Sequence, residues 1–301
     1  VENPQVREYL FGVAEHWLRF GIDGWRLDVP ADIEDESFWP EFRARVRAVK
    51  PDAYLVGEIW TESPEWLSGD RFDALMNYPL GMAILGFASA GQLDQAAIDG
   101  QSDYRKYLVA LDGPSFAERL NRLFALHDPA TTSVQYNLIG SHDAPRPRTC
   151  LAGDVGALRL ATLLQLSLPG TPSIYYGDEL GMEGGPDPDC RRGYPVTPDT
   201  GELAMRAFTR AAVHARRDHV ALRRGSVAIA AADGQAIALV RSADGERALI
   251  AINSGREAMR LVVDRSTVAG LAQIALPEVA AGRIVDGSTI ELPAQGALVL
   301  A

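Results

Sequence analysis

Three acidic residues, each placed just past a short apolar run, have the types and setting for acid–base and nucleophilic chemistry on a sugar: Asp28 in Gly24-Trp25-Arg26-Leu27-Asp28, Glu58 in Leu55-Val56-Gly57-Glu58-Ile59-Trp60, and Asp143 in Gly140-Ser141-His142-Asp143. Retaining glycoside hydrolysis needs one carboxylate as nucleophile and one protonated carboxyl as general acid, roughly 5–5.5 Å apart across the scissile bond. The oxocarbenium-like transition state gains from a further anion against the sugar. Arg26 stands two residues before Asp28 on one run and is expected to project on the same side, holding that carboxylate ionised. Glu58, beside an ionised Asp28 and roofed by Trp60, is expected to have a raised pKa, which a general acid requires.

The elements that must position these groups follow from the pattern. The runs Ile22–Leu27, Ala53–Val56 and Val134–Ile139 have the length and flanks of buried strands. Helical periodicity covers Val6–Phe20, Glu36–Val49, Asp154–Ser167 and Glu202–His219, with further helices expected near Met82–Ala90 and Ser115–Leu126. Phe72–Tyr78 and Ser173–Tyr176 read as two more strands, Tyr175 and Tyr176 alternating inside and outside. Strands alternating with helices imply a parallel sheet or barrel, which carries its chemistry at the carboxyl ends of several strands. After about Arg224 short β-rich runs (Ala236–Arg241, Arg247–Asn253, Arg260–Val263, Ala297–Leu300) alternate with turn signals such as Asp244-Gly245 and Asp286-Gly287, the pattern of a small antiparallel sandwich.

Taken singly, an Asp or Glu after a strand is a turn or helix-cap residue more often than a catalytic one. Four blocks in order reverse that weighing. Gly21–Val29, Val56–Trp60 and Asn137–Asp143 resemble three sequence blocks of glycoside hydrolase family 13, the α-amylase family. Pro169–Glu179 is similar to that family's eighth barrel strand and its loop. The resemblance implies Asp28 as nucleophile, Glu58 as acid/base, Asp143 as transition-state stabiliser, Arg26 as the nucleophile's partner and His142 as a sugar-hydroxyl ligand. Trp60, directly after the acid, is placed to stack on a sugar ring. Asp178 and Glu179 read as loop and helix-cap residues. Asp187, Asp189, Arg191 and Arg192 read equally as an acceptor-side polar cluster or a solvated loop.

Within the family the chain is most similar to the cyclomaltodextrinase, neopullulanase and maltogenic amylase group, through Gly181–Arg192 and Glu2-Asn3-Pro4. It departs from that group after the nucleophile, where Val29-Pro30-Ala31-Asp32 replaces the usual Val-Ala-Asn-Glu. The family's first block, an Asp followed by Asn-His, has no counterpart, since none of the five histidines follows an Asn. The resemblance therefore implies an incomplete (β/α)8 TIM barrel over residues 1–224, entered at the helix after its third strand, and a C-terminal β-sandwich over residues 225–301. It implies retaining hydrolysis of α-1,4 or α-1,6 bonds in malto-oligosaccharides, cyclodextrins or related α-glucans, with a homodimer as an option for the full-length protein. Transglycosylation by the same residues and a non-catalytic sugar-binding remnant are the alternatives.

Composition fits an enzyme of this kind. At 301 residues and 47% hydrophobic content, the chain can bury one large core and a small one. A formal net charge of -11 excludes a nucleic-acid partner, which needs a basic surface. No apolar run approaches a membrane span. No spacing matches a metal-ligand set, and no cofactor is implied. Cys150 and Cys190 read as free thiols of a cytoplasmic protein.

Overall fold

The computed structural model describes all residues from 1 to 301. The first helix, Pro4–Phe20, starts where the Asn3 side chain accepts the backbone N–H groups of Gln5 and Val6, and it stops at Gly21, whose φ of 122° suits only glycine. Its buried stripe, Phe11, Ala14 and Leu18, recurs at helical spacing and packs on Phe38, Phe42 and Val46 of the helix Phe38–Val49. Full burial of a side chain such as Phe11 stabilises by roughly 1.5–3 kcal/mol. These two helices flank the start of a parallel sheet.

Five parallel strands follow in chain order: β1 (Gly24–Leu27), β2 (Tyr54–Gly57), β3 (Ala74–Leu75), β4 (Tyr136–Asn137) and β5 (Thr171–Pro172). β1, β2 and β3 form one ladder and β4 and β5 another. A parallel bridge from Met76 to Tyr136 carries the arrangement across the gap. Helical connections separate the strands, so the arc is a mixed α/β structure with β1 and β5 at its edges.

Several strands are shorter than the sequence pattern suggests. Val134 closes a helix, Pro129–Val134, because Asp128 caps it through the N–H groups of Ala130 and Thr131, leaving only Tyr136 and Asn137 extended. Tyr78 opens the helix Tyr78–Ala88, capped by Asn77, so the expected strand Phe72–Tyr78 shrinks to β3. Ser173–Tyr176 is not a strand at all. The last ladder bond is Ser173 N–H to the Asn137 carbonyl at 2.7 Å, after which the two tyrosines turn onto Arg146. The helices near Ser115–Leu126 and Glu202–His219 are present as Gly113–Ala125 and Thr200–Asp218, the latter opened by a reciprocal Asp199–Glu202 capping box.

Beyond the short helix Val220–Arg224 lie β6 (Ser226–Asp233), β7 (Ala236–Ala243), β8 (Glu246–Asn253), β9 (Met259–Val262), β10 (Ala280–Ala281), β11 (Arg283–Val285), β12 (Thr289–Leu292) and β13 (Gly296–Leu300). They form a five-stranded sheet, β10-β13-β8-β7-β6, and a three-stranded one, β11-β12-β9. Every pairing is antiparallel except β10 with β13, which is parallel. The β7–β8 hairpin turns at Asp244-Gly245 with φ of 51° and 81°, a backbone that Asp-Gly tolerates. Residues of period two divide the larger sheet. Ala238, Leu249 and Ala251 pack toward the small sheet, whereas Leu239, Ile250 and Ile252 join the apolar core that continues under the helices.

Candidate active site

Register brings the first two carboxylates together. In the β1–β2 ladder Arg26 pairs with Val56 and Leu27 with Gly57, so the next residues, Asp28 and Glu58, emerge side by side at the carboxyl ends. The Glu58 N–H extends the ladder by bonding the Leu27 carbonyl at 3.0 Å. Neither position could be shifted by one residue without turning its side chain to the other face.

One guanidinium braces both acids. Arg26 Nη1 donates to Asp28 Oδ1 at 2.5 Å, and Nη2 stands 2.6 Å from Glu58 Oε1, a close ion pair whose angle falls short of a hydrogen bond. The Arg26 hydrogen bond is the main force holding Asp28 below the usual carboxylate range, and the Asp28 side chain is 76% exposed. Glu58 goes the other way. Its side chain is only 4% exposed, and burial first of all raises its pKa, the charges of Asp143 and Asp28 adding to that. The Val29 N–H at 3.2 Å and Arg26 oppose the rise. Thus burial, more than the neighbouring charge or Trp60, separates the two acids. Val29 donates this bond from a left-handed backbone (φ 31°, ψ 56°), a strained conformation for a β-branched residue that precedes proline.

Asp143 reaches the same end of the sheet from the loop after β4. His142 Nε2 lies 2.8 Å from its Oδ2, and Arg191 Nη2 donates to its Oδ1 at 2.9 Å. The Arg191 Nε also holds the His142 carbonyl at 2.8 Å, and its Nη2 pairs with Asp187 at 2.9 Å. Half of the Asp187–Arg192 segment is therefore tied to Asp143, while Asp189 pairs with Arg192 and accepts the Gly185 N–H at 2.7 Å. Trp60 lies flat on Tyr78, centroids 3.6 Å apart and planes within 7°. With one ring face taken, the ring borders a cleft of about 310 Å³ shared with Glu62, Arg119 and Arg122, which none of the three carboxylates lines.

Sequence reasoning missed the support behind this site. Arg146 is wholly buried and donates to the Cys190 carbonyl at 2.7 Å, the Tyr176 carbonyl at 2.5 Å and Asp178 Oδ1 at 2.8 Å. Asp178 opens the short helix Asp178–Leu180 but does not cap it, its carboxylate being buried against Arg146. Burial pushes its pKa up to about 7 in spite of Arg146. Glu179 accepts the Gly177 N–H and the Tyr194 hydroxyl. Tyr175 and Tyr176 both stack on Arg146, at 4.3 and 4.8 Å, instead of alternating across a strand. Gly140 is required here, since a Cβ would sit 2.2 Å from Asp178 Oδ2. No sequence signal marks Arg146, because its pairing with Asp178 joins residues 32 apart in the chain.

Comparisons with known proteins place the family. Residues 1–225 match the model of the α-amylase catalytic domain, so the chain belongs to the α-amylase family, whose catalytic domains are TIM barrels. It is 39% identical over 282 residues to a cyclomaltodextrinase of Geobacillus thermopakistaniensis, covering 93% of this chain and 43% of that protein. To neopullulanase 2 of Thermoactinomyces vulgaris it is 37% identical over 258 residues, covering 85% and 41%. Among solved structures, the debranching enzyme of Nostoc punctiforme superposes with a TM-score of 0.90 at 36% identity, covering 99% of this chain and 62% of that one. The chain spans about two-fifths of the length of these curated relatives.

Proposed function

We propose that this chain carries the catalytic carboxylates of a retaining α-glucoside hydrolase acting on α-1,4 or α-1,6 bonds of malto-oligosaccharides, cyclodextrins or related α-glucans. Asp28, ionised and braced by Arg26, is the nucleophile that forms the glycosyl ester. Glu58, buried and raised in pKa, protonates the leaving oxygen and then deprotonates the incoming water. Asp143 stabilises the positive charge that develops on the sugar, His142 contacts a hydroxyl, and Trp60 stacks on a sugar ring with the face that Tyr78 leaves free. The single observation that carries this reading is the Arg26 fork between an exposed acid of lowered pKa and a buried acid of raised pKa. Two carboxyls driven apart in this way are the signature of an acid and a nucleophile in one site.

The same reading extends to architecture. The five parallel strands, consecutive and open at both edges, are taken as part of a (β/α)8 barrel over residues 1–224, with residues 225–301 as a β-sandwich against its helices. Three further strand–helix units would close the barrel. Exposed Tyr9, Trp17 and Phe20 in the helix that leads into β1, and Ile174 and Tyr176 just after β5, support the need for cover there.

The test uses Glu58→Ala in the complete enzyme. It should slow a maltoside with a poor leaving group far more than an activated aryl glycoside, since only the poor leaving group needs a proton. Added azide should rescue the aryl glycoside by displacing Asp28 from the glycosyl ester and yield an α-configured glycosyl azide, the retained configuration. Equal damage to both substrates with no azide product would remove Glu58 from the acid role.

A further inference from the structure

At the opposite, amino-terminal ends of β4 and β5, where the helices meet the larger C-terminal sheet, lies a cleft of about 260 Å³. Thr132, Ser133, Arg223, Arg224, Ser226 and Arg241 line it, and no Asp or Glu does. In a chain of net charge -11 that is an unusual concentration of cations.

Two of the arginines around it, one wholly buried and one half-buried, have no anion partner. Arg241, wholly buried, donates to the carbonyls of Ser167, Gly225 and Ser226. Arg216 donates to those of Leu166, Leu168, Gly170 and Leu222. Both therefore converge on residues 166–170, and Gly170 is itself part of the cleft wall. Burial lowers Arg216 to about 10, with Arg223 adding to the effect, and lowers Arg241 to about 9, with Arg216 adding. Guanidinium groups stay protonated at neutral pH all the same, so the drop registers like charges held in a poorly solvated place. The carboxyl-terminal carbonyls of the helix Val155–Ser167 offset part of that charge. The nearby acids are engaged elsewhere: Asp128 caps a helix, Glu246 accepts the Val220 and Ala221 N–H groups, and Asp218 pairs with Arg217.

We propose that this cleft binds a small phosphate-bearing anion, either inorganic phosphate or a hexose monophosphate, between the guanidinium groups of Arg223 and Arg224. Arg223 and Arg224 are exposed at the rim and supply the direct donors, whereas Arg241 and Arg216 supply field from behind. The volume is just below the roughly 300 Å³ from which drug-sized ligands are held, which suits a small anion. The site is independent of the glycosidase reading and lies at the other end of the strands.

Calorimetric titration of the purified protein at constant ionic strength in chloride, with inorganic phosphate, a hexose monophosphate and the unphosphorylated hexose in turn, tests it. Saturable binding of a phosphate species, none of the neutral hexose, and at least a tenfold loss of affinity in Arg223→Gln/Arg224→Gln are expected, with carbohydrate turnover unchanged in that variant. Tighter binding of the hexose monophosphate identifies a sugar phosphate as ligand, and the reverse identifies inorganic phosphate. Both replaced arginines are exposed, so loss of fold does not confuse the result; a matched melting curve checks this. No heat with either anion, or equal affinity in the double variant, overturns the proposal.

Discussion

Replacing Arg146 with Met would take the only cation out of a buried polar knot behind Asp143. The side chains of Arg146 and Asp178 are 0% and 6% exposed, and the carbonyls of Tyr176 and Cys190 would lose their donor as well. Removing one partner of a buried pair costs about 3–5 kcal/mol. The cost should depend on pH in a definite direction. Burial lifts Asp178 to about 7 in the folded protein, against about 3.9 for an Asp in an unfolded chain. The folded state then holds a proton that the unfolded state has released, so stability falls as pH rises between those two values, by about 1.4 kcal/mol per unit, and levels off above the folded pKa. Arg146 is what opposes the rise, through its charge and its hydrogen bond. Without it the folded pKa climbs higher, and the variant keeps losing stability where the parent has levelled off. Urea denaturation of both proteins at about pH 5.5, 7 and 8.5 measures this. A loss below about 1 kcal/mol, or one that shrinks as pH rises, would refute the argument.

Two further perturbations test other parts of the structure. Arg26→Met should lower kcat/KM by roughly tenfold to a hundredfold, the worth of a charged hydrogen bond, and move the acid limb of its pH profile upward, because Asp28 loses the partner that holds its pKa down; a limb that stays or moves downward would show that Asp28 is not the group ionised for turnover. The 301-residue chain by itself should associate in solution, because β1 and β5 are open edges and Tyr9 and Phe20 are 71% and 76% exposed, so a sharp monomer by light scattering combined with cooperative melting would contradict this.

Much of the site was legible from residue type and order alone. Short apolar runs ending in an acid define strands whose carboxyl ends carry chemistry, and a period of two sets Arg26 beside Asp28, because strand geometry is local. The helices whose apolar stripe recurs every three or four residues were legible for the same reason, as were the Asp-Gly hairpin turns after Arg224. What depended on distant partners was not. Ser173–Tyr176 has the composition of a strand, yet its tyrosines serve as a stacking surface for a cation that enters from residue 146. Asp178 looks like a loop acid until Arg146 is folded against it, and the Glu58 pKa is set chiefly by desolvation, which no neighbouring residue in sequence reveals. Residue type and spacing marked the candidate acids and the strand face on which they stand. Only the tertiary structure decided which of them are dry, which are paired, and on what support they rest, because burial and charge pairing are set by segments brought together across long stretches of chain.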